Sequence, residues 1–305
     1  MNNHLTYFGL QEEPFRLTPD RNFYYPSSCH TAVREVVRFG LDEGEGFIVI
    51  TGEVGTGKTM LLRLLMAELP EHFDTALILS PHLAPKELIF AIIQDLGLEP
   101  PARDASMDDL LRRFNEHLFR LAKEKKRLII VIDEAQNLPD ESLEQLRLLS
   151  NFESDTQKLL QIVLVGQPEL HARVEQSHLR QLLQRVTIME RLRPLPKDEL
   201  SQYVHFRLSR AGRRNFRLSH GTLDLLWQYS GGVPRLINKA LNRALLVAYA
   251  HQKKNIDRAI LQESLDSLEE SRAYRKRLPR WLWFAIAACV IATAGSVVYF
   301  FLFPG

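Results

Sequence analysis

The run Gly52-Glu53-Val54-Gly55-Thr56-Gly57-Lys58-Thr59 has the spacing G-x-x-x-x-G-K-[ST]. Glycines at these positions let the backbone curl so that successive N–H groups face one hollow. The positive end of a following helix adds to the attraction for phosphate. In such a loop the Lys58 ammonium reaches the outer phosphates of a nucleotide, the Thr59 hydroxyl ligates Mg²⁺, and Met60 continues into the helix. The loop sits where this chemistry needs it, after GFIVIT and before LLRLLMAEL.

A second group of candidates lies in RLIIVIDEAQNL (127–138), where apolar residues end in Asp133–Glu134. Acids at the carboxyl end of a buried strand stand at the edge where open α/β sheets bind ligands. One reading has Asp133 hold Mg²⁺ through water while Glu134 orients or deprotonates an attacking water. The other has the pair merely start the helix near Pro139. Gln167, directly after LQIVLVG, either senses the terminal phosphate or is a turn residue before Pro168. Arg180 and Arg185, in LRQLLQRV, either reach a neighbouring subunit's nucleotide or are solvated, with Arg185 the stronger candidate. In GGVPRLIN (231–238), Arg235 follows a helix-ending Gly231–Gly232 and the helix-starting Pro234. It contacts the terminal phosphate if the C-terminal helices close over the nucleotide, and is otherwise a surface arginine. The ten histidines show no metal-ligand spacing.

Positioning these residues requires strands and helices in alternation. GFIVIT (46–51), TALILS (75–80), RLIIVID (127–133) and LQIVLVG (160–166) read as buried strands, with a fifth at RVTIMERL (185–192). Helical spacing fills the intervals, which predicts an α/β fold with a parallel sheet covered on both faces. After Pro194 and Pro196 the strand signals stop. Helices are predicted at about 197–211, 219–229, 233–251 and 256–270, the third with Leu236, Ile237, Ala240, Leu241, Ala244, Leu245 and Ala248 on one face. The expected organisation is an aromatic and proline-rich segment with a first helix packed on the core (1–45), an α/β nucleotide-binding domain (46–195) and a small all-α lid (196–270). A basic linker (271–280) and one transmembrane helix (281–303) complete it. The aromatic N-terminal segment either lines a base pocket or caps the α/β domain.

The net charge of +2 gives no global sign of nucleic-acid binding. Cys29 and Cys289 are the two cysteines, too few for a disulfide framework, and the N-terminus lacks the pattern of a signal peptide. WLWFAIAACVIATAGSVVYFFLF (281–303) carries no charge, and as a helix it spans about 35 Å, enough for a bilayer core. Arg272, Arg275, Lys276, Arg277 and Arg280 precede it, which places the larger part of the chain on the cytoplasmic side of a membrane crossed once.

In order, these motifs resemble the AAA+ superfamily, a P-loop NTPase class. YFGLQEEPFRLTPDRNFYYPS, GFIVITGEVGTGKT, DEAQNLPDESLEQLRLLSNFE, KLLQIVLVGQPEL and LRQLLQRVTIMERLRPL together look like the ExeA/GspA-type secretion ATPases, nearest to members serving MSHA (type IV) pilus biogenesis. The resemblance covers about residues 5–270 and implies ATP with Mg²⁺ as cofactors, ATP hydrolysis, and a bacterial inner membrane as the one the chain crosses. It also implies a homo-oligomer, or a hetero-oligomer with another secretion or pilus component. Within it, Gln167 takes the sensor-1 position, Arg180–Arg185 the arginine-finger region and Arg235 the sensor-2 position. Secretion members carry a peptidoglycan-binding domain after their membrane helix; that activity is not expected of this chain. Two alternatives are a nucleotide-gated scaffold with little hydrolysis and a DNA-associated AAA+ adaptor; the expected terminal membrane helix argues against the latter, so no nucleic acid is expected as a partner.

Overall fold

The computed structural model describes residues 3–79, 82–99, 105–151 and 158–276. Five strands, β1 (Phe47–Thr51), β2 (Phe73–Ile78), β3 (Arg127–Ile132), β4 (Leu160–Gly166) and β5 (Val186–Arg191), form one sheet in the order β2-β3-β4-β1-β5. Every pairing is parallel. The helices are α1 (Asn3–Phe8), α2 (Ser28–Glu43), α3 (Lys58–Glu68), α4 (Pro85–Asp95), α5 (Met107–Lys123) and α6 (Asp140–Leu149). They continue with α7 (Pro168–Val174), α8 (Arg180–Leu183), α9 (Leu200–Arg210), α10 (His220–Ser230), α11 (Pro234–Ala250) and α12 (Arg258–Lys276).

Unbroken apolar strands need cover on both faces, because successive side chains point to opposite sides. In β1, Phe47 and Val49 join one apolar layer with Leu88 and Ile92 of α4, Phe114 of α5 and Leu146 of α6. Ile48 and Ile50 enter the other, with Val37 of α2 and Leu61 and Leu65 of α3. The sheet is thus the middle of three layers.

β2 begins at Phe73, two residues before the expected 75–80, and Ser80 lies outside the described residues. Its start follows its partner rather than its own hydrophobicity: Phe73 pairs with Arg127, and the Arg127 N–H donates to the His72 carbonyl at 3.0 Å. The acid inside the strand is accommodated because Asp74 meets the buried His117 of α5 at 3.0 Å.

Helices α9 to α12 share a third apolar cluster, into which α11 sends Ile237, Ala240, Leu241, Ala244, Leu245 and Ala248. Leu236 is only half-buried. The N-terminal segment belongs to the same cluster through Phe8, Phe15 and Phe23. Arg207 of α9 fastens it, donating from Nε to the Pro14 carbonyl at 2.6 Å and from Nη2 to the Arg16 carbonyl at 3.3 Å.

Among the described residues, no helix is long and apolar enough to cross a membrane. This corrects the expected localisation as a single-pass inner-membrane protein with a cytoplasmic ATPase domain. The last described helix, α12, carries Arg258, Glu263 and Asp266, charges that a hydrocarbon interior would strip of water at high cost. The apolar run 281–303 lies outside the described residues.

The α/β layers and the helical cluster meet at Gly232, whose carbonyl accepts the Leu195 N–H at 2.9 Å. Gly232 has φ +80°, and a Cβ there would stand 2.3 Å from the Leu195 carbonyl oxygen and 2.8 Å from the Trp227 ring. Gly231, with φ +54°, has open space around its missing Cβ. Gly231→Ala is expected to cost about 1 kcal/mol for its backbone conformation, and Gly232→Ala at least about 2 kcal/mol more. Urea midpoints of the two variants check this, and equal losses would refute the close approach.

Candidate nucleotide-binding site

β1 ends at Thr51 and the chain turns at once into the glycine-rich loop. Gly52 donates its N–H to the Gly166 carbonyl at 3.2 Å, which ties the loop to the end of β4. Gly55 and Gly57 take φ +87° and +107°, a region that side chains disfavour. α3 then starts at Lys58 without a side-chain cap at Gly57, so the first amides of this helix remain available at its positive end.

Lys58 is only 6% exposed. Its ammonium donates to the carbonyls of Gly52 at 2.7 Å and Glu53 at 3.2 Å, inside the curl of its own loop. Burial lowers its pKa, against the attraction of Glu134, Asp133, Glu53 and Glu169. The next residue reaches across the sheet: Thr59 Oγ1 donates to Asp133 Oδ2 at 2.7 Å. β4 lies between β1 and β3, so the carboxyl ends of three adjacent strands supply the loop, the acid pair and Gln167.

Glu134 has φ +54°. Its Oε2 accepts from the Gln136 side-chain amide at 2.6 Å and from that of Gln167 at 3.2 Å. Gln136 Oε1 in turn accepts the Gln167 backbone N–H at 3.0 Å, so Gln136 bridges the carboxylate to the loop after β4. Arg173 of α7 holds the Gln136 carbonyl at 2.6 Å and pairs with Asp140, which also meets His178 at 2.8 Å.

A cleft of about 360 Å³ opens on the loop. Its walls come from the loop itself (Val54 to Met60), from Glu134, from Tyr203, Arg235 and Asn238 of the helical cluster, and from Thr18, Pro19 and Tyr24 of the N-terminal segment. The aromatic segment packs on the helical cluster rather than capping the α/β layers: Phe15 and Phe23 are buried among the helices, and Tyr24 stands on the cleft. Arg235 is exposed, while its backbone N–H donates to the Gly55 carbonyl at 3.2 Å.

Arg185 is not brought to this end of the sheet. It precedes β5, whose first residue pairs with Phe47 at the start of β1, and it donates to Asn151. The length of β5 separates it from the loop, on the order of 17 Å. Gln136 and Arg207 carry no motif signature. The one sequence cue to Gln136 was its place two residues beyond Glu134.

Thr59 and Asp133 offer a hydroxyl and a carboxylate oxygen, hard donors that suit Mg²⁺ in company with phosphate oxygens. Among the described residues, no group of three or more His, Cys, Asp or Glu side chains is arranged to hold a metal without such help.

Parallel sheet, glycine-rich loop and strand-end acid pair define a P-loop AAA+ α/β domain, and residues 41–174 match the AAA domain family. The chain is a homologue of general secretion pathway protein A of Aeromonas hydrophila, 42% identical over 250 residues that cover 82% of this chain and 46% of that protein. It thus spans about half the length of this curated relative. Among solved structures, Drosophila ORC bound to DNA aligns with TM-score 0.63 at 18% identity, covering 96% of this chain and 75% of that one. The Aeropyrum pernix ORC2 protein aligns with TM-score 0.60 at 18% identity, covering 82% and 72%. At such identities these two establish the fold alone.

The Asp140 carboxyl is held below its ordinary 3.8 by the Arg173 hydrogen bond first and by His178. A carboxyl with a depressed folded-state pKa stabilises the fold above 3.8 and loses that contribution as pH falls through the folded value. Wild type should therefore exceed Asp140→Asn in stability near neutrality, by under about 1 kcal/mol given the exposure of the pair. The gap should close on acidification below about pH 4, and a gap independent of pH would refute it.

Proposed function

We propose that this chain binds ATP with Mg²⁺ in the cleft over residues 52–59 and hydrolyses it to drive assembly or remodelling of a bacterial envelope machine. The observation that carries this reading is the 2.7 Å contact of Thr59 with Asp133, which joins the phosphate loop to the acid pair. The envelope role rests on the likeness to general secretion pathway protein A, and a type II-like secretion system or an MSHA-type (type IV) pilus is the proposed setting. The fold neighbours lend no support to a DNA-associated role.

In this mechanism Gly52, Glu53, Val54, Gly55, Thr56, Gly57 and Met60 form the cradle, and Lys58 turns its ammonium from its own carbonyls to the outer phosphates. Thr59 and, through water, Asp133 would hold Mg²⁺, which would supply charge neutralisation on the phosphates. Glu134 orients the attacking water and takes its proton. Gln167 responds to the terminal phosphate, and Arg235 ties the helical cluster to nucleotide state. Thr18, Pro19 and Tyr24 wall the base. Arg185, at the far edge of the sheet, is assigned to the nucleotide of an adjacent copy or of a related subunit, where an arginine neutralises transition-state charge.

A nucleotide-gated scaffold with little turnover draws support from one contact set: Glu134 is already engaged by Gln136 and Gln167. Phosphate release by the purified protein separates the readings. Lys58→Ala is expected to lose ATP binding, whereas Glu134→Gln retains binding and loses turnover. Equal turnover by wild type and Glu134→Gln would sink the hydrolytic reading. Arg185→Ala should lower turnover with ATP affinity unchanged; an unchanged rate removes its assignment to a neighbouring site.

A further inference from the structure

His30 lies outside every recognised motif, in the first turn of α2, and is 5% exposed. Its ring stands between two elements of the cleft. Nε2 is 2.9 Å from the Thr56 carbonyl oxygen, and Nδ1 is 2.5 Å from Ser27 Oγ. A carbonyl only accepts, so Nε2 carries the proton and donates it to Thr56. Nδ1 is then the acceptor and the Ser27 hydroxyl its donor. Burial lowers the His30 pKa from 6.5, opposed by the Thr56 bond and by Glu199, which favours this neutral form near pH 7.

The bond to Thr56 governs more than one atom. The peptide joining Thr56 to Gly57 is planar and trans, so its C=O and N–H point in opposite directions. Fixing the Thr56 carbonyl on His30 therefore fixes the direction of the Gly57 N–H. The fit is close, because a Cβ on Gly57 would lie 2.8 Å from His30 Nε2. Glycine at 57 thus serves both the φ of +107° and the approach of the imidazole. The Tyr24 ring packs against His30 nearly at right angles, with centroids 6.0 Å apart.

We propose that His30 is a positioning residue for the phosphate loop, orienting the Thr56–Gly57 peptide through its Nε2–H and linking that peptide to the Tyr24 wall of the cleft. Its effect on ATP rests on the nucleotide reading above; its effect on the loop does not.

Two isosteres separate positioning from simple filling of the core. In His30→Gln the side-chain amide nitrogen falls near the place of Nε2 and restores a donor to Thr56. In His30→Asn it falls near the place of Nδ1 and reaches only Ser27. Hydrogen exchange of amides 52–59 in nucleotide-free protein should accelerate about tenfold in His30→Asn and return to within about threefold of wild type in His30→Gln. Titration with ATP should rank the variants alike, with about tenfold weaker binding for His30→Asn. If His30→Asn folds poorly, Ser27→Ala substitutes for it: it releases Nδ1 and should also accelerate exchange in the loop. Exchange equally fast in His30→Gln and His30→Asn, or unchanged in both, overturns the proposal. Wild type that fails to bind ATP overturns the nucleotide reading, while the exchange ranking still decides the role of His30.

Discussion

The hydrogen bond between Thr59 and Asp133 is a long-range statement about the sheet. It joins the first turn of α3 to the residue after β3, although β4 lies between their strands. For these side chains to meet, β1, β4 and β3 must be parallel, in register and of matched length at their carboxyl ends. The register supplies this: Thr51 stands against Gly166, and Ile132 against Leu164. Small residues complete the approach, since a Cβ at Gly166 would strike Gln136 Oε1 at 2.7 Å and one at Gly52 would meet the Leu192 carbonyl at 2.8 Å. The apolar layers on both faces hold the register that the polar end requires.

Much of this frame was legible in the sequence because its signals are local. Runs such as FIVIT and RLIIVI need no partner to be read as buried strands, and the glycine spacing at 52–59 specifies a backbone path. What escaped depends on contacts across many residues. The N-terminal segment has neither strand nor helix periodicity, and its place on the cleft is set by the Arg207 guanidinium nearly two hundred residues later, bonded to carbonyls at Pro14 and Arg16. No pattern of residue types announces a bond to a main-chain carbonyl. Gln136 was hidden differently: it sits in the recognised stretch after Glu134, but its role as a bridge appears only when the end of β4 is beside it.

Arg207 also shows how the two halves of the molecule are combined. Among the described residues its buried charge meets no carboxylate, using carbonyls and the Tyr203 hydroxyl instead, and its guanidinium carbon lies 5.0 Å from the Phe23 ring centroid. A buried cation satisfied only by dipoles is costly to desolvate, and such an arrangement persists when it fixes one geometry. Here the geometry is that of a segment wrapped onto helices that follow the sheet in the chain, so the cleft is walled by residues from before the sheet and after it.

One contact at the mouth of the cleft divides the work of a single residue. The Arg235 N–H bonds the Gly55 carbonyl, and the Arg235 Cβ fills the space that a side chain at Gly55 would need. Any rotation of α11 away from the loop must break a main-chain tether first, whatever the guanidinium touches. Helix movement and charge contact at this position are therefore distinct levers: trimming the side chain to its Cβ silences the second and leaves the first mechanically connected.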